Sequence, residues 1–141
     1  MCTPPFGHAV QCTQRIQAAL RDHQYDDFQV VQSMFRKLEK IYDIIEEVDF
    51  LEEDGSNWLM WVTTCGHVIE FIAGVEAYLE GCRPLIRTAV DLVIDRCALD
   101  FIRRSIPSEL NHVICGVMKA HQAKFRLRRH LDPYGTGRLD R

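Results

Sequence analysis

The side chains here with the types to do chemistry are six cysteines (Cys2, Cys12, Cys65, Cys82, Cys97, Cys115), six histidines (His8, His23, His67, His112, His121, His130) and two carboxylates in an apolar segment, Glu70 and Glu76. Two imidazoles share a helical face at i, i+4, and no two of these histidines have that spacing. Cys65-Gly66-His67 is too short for a zinc half-site, and no Cys-x-x-Cys pair exists. Asp132, Tyr134, Thr136 and Gly137 echo a calcium loop, but the third position has no ligating oxygen and no Glu stands at the twelfth. No metal and no cofactor are therefore expected. Cysteines scattered among apolar residues read as reduced, mostly buried thiols rather than as partners of a histidine in nucleophilic catalysis. Glu70 and Glu76, six residues apart, leave a helix on opposite sides and read as exits to solvent. Without a Gly-rich phosphate loop either, the pattern points to a binding module and not to an enzyme.

The elements that position these residues belong to one domain. A chain of 141 residues, 47% hydrophobic and 26% charged, is long enough to bury a real core. A net charge of −3 argues against a generic nucleic-acid binder. The charge is unevenly spread: residues 39–54 hold eight acids and one Lys, residues 119–141 seven bases and two acids. Both runs read as solvated faces. The start, Met1-Cys2-Thr3-Pro4-Pro5, has no basic region followed by an apolar run, and no apolar stretch approaches the ~20 residues of a membrane span, so a reduced, intracellular protein that is not secreted is expected.

Periodicity is helical throughout, with no β-alternation. A first helix is expected over residues 9–23, with Ile16, Ala19 and Leu20 on one side. Phe28, Val31, Met34, Phe35, Leu38, Ile41, Tyr42, Ile45, Val48 and Leu51 then recur at threes and fours, a stripe long enough to expect one or two breaks into separate helices, one of them near residues 36–40. Asp54-Gly55-Ser56-Asn57-Trp58 is a turn whose Ser56 or Asn57 can cap a new helix. From Leu59 to Leu79 only Glu70 and Glu76 are charged and apolar residues occur on every face, as in a central helix surrounded by others. Gly81-Cys82-Arg83-Pro84 should end it and Pro84 open the next helix, with Leu85, Ala89, Leu92, Val93, Cys97 and Phe101 inward and Arg87, Asp91, Asp95 and Arg103 in solvent. Ser108 can cap a further helix carrying Leu110, Val113, Ile114, Val117 and Met118. One helical domain over residues 1–131 and a flexible polar tail over 132–141 are expected.

The Asp54 to Trp58 segment resembles the first homology region of the Bcl-2 family of apoptosis regulators, whose pattern Asp-Gly-x-Asn-Trp-Gly-Arg runs into a buried central helix. Upstream, Ile44-Ile45-Glu46-Glu47-Val48-Asp49-Phe50-Leu51 is similar to the family's preceding helix; downstream, Ile94-Asp95-Arg96 with Phe101-Ile102 resembles the approach to its second region. The likeness spans about half the chain, residues 41–114. Leu59-Met60 stands where the family has Gly-Arg, the Gly-Gly-Trp of the second region is absent around Ser105 to Ser108, and the third region survives only in Leu20 and Asp26-Asp27-Phe28.

The resemblance implies an all-α, Bcl-2-like bundle around a buried central helix. It further implies a groove that takes the homology-3 helix of pro-apoptotic proteins, sequestering it and so opposing cell death. Phe35, Leu38, Ile41, Ile45, Val48, Leu51, Asn57, Trp58, Met60 and Val62 are the groove residues expected on this basis. In the family an Arg pairs with the ligand's Asp; here Arg36, Lys37 or Lys40 would have to replace it. Self-association through Leu59 and Met60, giving a homodimer, is a further expectation. Missing anchor and shortened form resemble a viral member, placed in the host cytoplasm and brought to the periphery of mitochondria by its partners. The rival expectation is a helical scaffold or signalling inhibitor on the same bundle, its groove closed by the bulk of Leu59 and its partners bound on an outer face.

Overall fold

Apolar residues spaced at threes and fours from Phe28 to Ile45 produce one helix, not two. A computed structural model describes residues 25–46, 49–79 and 86–141, with the side chains of Tyr25 and Asp26 excepted. Within them lie α1 (Tyr25–Ile44), α2 (Trp58–Ala73), α3 (Ala89–Arg104), a 3₁₀ segment (Ser108–Ile114), α4 (Ala120–Leu131) and a 3₁₀ turn (Arg138–Asp140). No strand occurs among the described residues, so the all-α expectation holds and the helices pack as a bundle. The helix expected over 9–23, Val48 and the segment from Gly81 to Leu85 lie outside the described residues.

The break expected near 36–40 is absent: α1 runs through it to Ile44, because Arg36, Lys37, Leu38, Glu39 and Lys40 are straight-chain or γ-branched residues that lose little rotamer freedom in a helix. Val31, Met34 and Leu38 are buried, and Ile41, Tyr42 and Ile45 pack partly against the core. Asn57 stands at the N-cap of α2 but its side chain bonds none of that helix's N–H groups. It turns back on the loop instead, its Oδ1 accepting from Glu52 N at 2.7 Å and its Nδ2 donating to Phe50 O at 2.9 Å.

α2 ends earlier than its apolar run suggests. Gly74, at φ 71, caps it in the left-handed region and donates its N–H to Glu70 O at 2.8 Å. Tyr78 and Leu79 are still buried, but outside the helix. Nor does α2 bury its whole circumference: Trp58, Trp61, Val62, Cys65, Val68, Ile69 and Ile72 face the core, whereas Leu59, Met60, Thr63, His67, Glu70 and Phe71 form an exposed arc of about 120°.

α3 begins at Ala89 rather than at Pro84, with a reciprocal cap: Thr88 Oγ1 accepts from Asp91 N at 3.1 Å, and Asp91 Oδ2 accepts from Thr88 N at 3.3 Å. Asp95, expected in solvent, is buried. Its Oδ1 accepts from the Tyr78 hydroxyl at 2.9 Å and its Oδ2 from Ala120 N at 3.3 Å, so one carboxylate ties α3 to the chain after α2 and to the start of α4. Beyond it, the single helix expected from Ser108 to Met118 is a 3₁₀ segment that stops before Gly116, whose φ is +80. A separate α4 follows, burying Ala120, Ala123, Leu127 and Leu131 at spacings of three and four.

Ser105, fully buried at the C-cap of α3, joins three elements. Its Oγ accepts the Trp61 indole N–H at 3.0 Å and lies 3.3 Å from Ile102 O, to which it donates, and its carbonyl accepts from Leu51 N at 2.8 Å. Replacing Ser105 by Ala strands the buried indole donor. We expect a loss of about 1–3 kcal/mol in chemical denaturation; an unchanged midpoint would show that water replaces the hydroxyl.

Candidate partner-binding surface

The expected groove residues do not line one open cleft. Leu38, Leu51, Trp58 and Val62 are buried in the core, and Ile41 and Ile45 pack partly against it. Trp58 sits 5.4 Å from Trp61 between ring centroids, tilted by 44°, inside that core. Asn57 braces the preceding loop. Among the described residues of this set, only Phe35, 49% exposed, and Met60, 65% exposed, reach solvent to a large extent. They belong to different surfaces, since Phe35 shares its flank of α1 with Tyr42, which donates to Asp100 on α3 under the Arg104 guanidinium.

The Asp54 to Trp58 turn is closed by the C-terminal segment, which differs from the free tail expected over 132–141. Gly55 adopts φ +75, and a Cβ there would meet Leu131 Cδ1 and Leu139 Cδ2, each at 3.0 Å. Arg138 donates to Asp54 O at 3.0 Å and also to Leu131 O. Arg128 pairs with Asp140 at 2.6 Å. Asp132 shapes the returning chain by accepting from Thr136 N at 3.0 Å and Gly137 N at 3.1 Å, and the Thr136 N–H holds its carboxyl below the usual range.

What remains open is the outer face where the beginning of α1 meets the end of α2. The Lys37 ammonium lies 5.7 Å from the centroid of the Phe71 ring, within cation–π range. Beside it Val30, Ser33, Ile72 and Gly74 line a shallow hollow of about 540 Å³. Phe71 is 49% exposed and stands eleven residues, about three turns, after Met60, which puts both on one side of α2. On α1, Val30, Lys37 and Ile44 recur every seven residues as a matching stripe, with Val30 and Ile44 exposed. Arg36 and Lys40 are exposed on the solvent side of α1, so Lys37 is the base of the three that meets an apolar ring. Phe71, Val30 and Ile44 were missed because an apolar residue in a helical stripe reads as core until the neighbouring helices are placed.

The reactive groups are arranged for packing. Burial pushes the Cys65 thiol well above its ordinary value, and burial, with the Asp100 charge second, pushes Cys97 up to about 11. An activated nucleophile needs the opposite shift. Cys115 is exposed, an exception to the buried-thiol expectation; Cys2, Cys12 and Cys82 lie outside the described residues. His112 and His130 meet edge to face at 5.6 Å, and no group of three or more metal-ligating side chains is found among the described residues. No helix among them is long and apolar enough to cross a membrane.

Two outcomes are expected. Gly55→Ala should destabilise more than Gly74→Ala: both incur the left-handed cost of about 1 kcal/mol, but only at Gly55 must Leu131 and Leu139 also move. Equal losses on urea unfolding would mean that the clasp yields freely. A maleimide, read by peptide mass spectrometry, should label Cys115 in the native protein and Cys65 and Cys97 only on unfolding. Because its raised value favours the protonated, folded form, the Cys97 contribution is complete below about pH 9 and falls as pH rises toward 11. Compared with known proteins, the chain matches no family model, no curated protein and no solved structure.

Proposed function

We propose that this protein is a non-catalytic regulator that binds an amphipathic helix of a partner protein on the outer face formed by α1 and α2. The observation that carries the reading is Lys37 set over Phe71 within an apolar strip. A partner helix whose apolar stripe recurs at threes and fours over about four turns, i to i+14, could lay it along Val30, Phe71, Met60 and Ile44, with an acid midway meeting Lys37. This is the outer-face reading of the bundle, and it is favoured by the burial of Leu38, Leu51, Trp58 and Val62 in the core.

The likeness of Asp54-Gly55-Ser56-Asn57-Trp58 to the Bcl-2 family makes the homology-3 helices of pro-apoptotic proteins the partners to test first. Such helices carry the acid this strip calls for. Sequestering them would make the protein an inhibitor of apoptosis, of viral type, acting in the host cytoplasm and at the periphery of mitochondria. Leu59 and Met60, where the family has Gly-Arg, are both exposed, which supports a second reading in which two copies pair through this end of α2.

Titrating the protein with a panel of homology-3 peptides separates these readings. We expect micromolar or tighter binding, weakened about tenfold or more by Lys37→Glu through loss of a charge-assisted bond, and abolished by Met60→Asp. Arg36→Glu and Lys40→Glu should act weakly and only at low salt. Binding to no peptide, or binding insensitive to both Lys37→Glu and Met60→Asp, would overturn the proposal. A dimer in sedimentation that peptide does not dissociate would support the second reading instead.

A further inference from the structure

The basic run near the C-terminus lies outside the strip proposed above for helix binding. It forms α4, which has four bases, two histidines and no acid in its twelve residues. Two of those bases are engaged within the chain: Arg128 pairs with Asp140 at 2.6 Å, and Lys124 donates to Leu79 O. Arg126 reaches only the Cys115 carbonyl, at 3.5 Å. Arg129, and Lys119 just before the helix, are exposed and have no acidic partner among the described residues.

Opposite the buried stripe of Ala120, Ala123, Leu127 and Leu131, the outward face therefore carries Arg126 and Arg129 beside Phe125, which is 60% exposed. Met118, also exposed, lies just ahead of Lys119. A basic arc with an exposed phenyl ring along its edge presents charge and apolar surface together. At a bilayer interface the combination is favourable, because the ring enters the headgroup layer while the long basic stems extend to anionic headgroups.

We propose that this face of α4 docks on an anionic lipid bilayer, with Lys119, Arg126 and Arg129 meeting the headgroups and Phe125 entering the interface. Charge complementarity selects an anionic surface. The ring and Met118 favour a bilayer as the occupant, because the headgroup layer takes exposed apolar side chains in. The helix, about 18 Å long, would lie flat and bind reversibly.

The test pellets the full chain with vesicles of phosphatidylcholine containing about 30% phosphatidylserine, a composition that carries the surface potential required. At low salt the protein should pellet with these vesicles and remain in solution with pure phosphatidylcholine. Neutralising either base, as Arg126→Gln or Arg129→Gln, should weaken binding about fivefold, and the two together about twenty-five-fold. Phe125→Ser should weaken it severalfold even where added salt has little further effect. Circular dichroism should show all four variants folded, since each side chain is exposed. No pelleting at low salt, equal pelleting with neutral vesicles, or indifference to the two arginines would overturn the proposal. So would tight binding to a single-stranded oligonucleotide through the same arginines without vesicle binding, which would assign the face to nucleic acid.

Discussion

The pairing of the Trp61 indole with the Ser105 hydroxyl, 3.0 Å apart and sealed from water, is the constraint on which the arrangement of the helices depends. An indole N–H removed from solvent must find an acceptor, and here the acceptor stands on the residue that ends α3. The same residue's carbonyl takes the Leu51 N–H, so the loop before α2, the core side of α2 and the end of α3 share one junction. With Ser105 fully enclosed, none of the three can shift without stranding a polar group.

A second buried polar centre works in the middle of α3. Asp95 accepts from the Tyr78 hydroxyl and the Ala120 amide, holding the chain after α2 and the start of α4 against the same helix. These two junctions leave parts of the surface without a packing role. One is the strip of Val30, Lys37, Phe71 and Met60; the other is the Phe125 face of α4. They have different chemistry, one mainly apolar around a single base and the other cationic around a single ring.

The Asp54 to Trp58 turn illustrates how a recognisable motif can be right in its local physics and silent on its use. Gly55 does occupy the left-handed region, and Trp58 does begin a helix. Yet the space beside Gly55 is filled by Leu131 and Leu139, and the Asn57 amide serves the loop rather than the helix amides. The filling of that space is not legible locally, because Leu131 and Leu139 lie more than seventy positions away in the chain. The α1 stripe was legible as a stripe, but its division into core, a flank toward α3 and a flank toward α2 was not. Lys37 against Phe71 depends on that division.

From the sequence alone followed the all-helical class, the apolar stripes of α1 and the glycine turn, since each depends on periodicity or on one residue's backbone freedom. Tertiary structure decided where helices end and which apolar residues stay in solvent. Tyr78 leaves the α2 run at Gly74 and reaches Asp95, a pairing between residues on different elements. Leu38 is buried while Phe71 is half exposed, though both are apolar residues in helices, because burial is a property of what packs against a side chain and not of the side chain itself. Periodicity can place a residue on a face; only the neighbouring helices determine whether that face is closed.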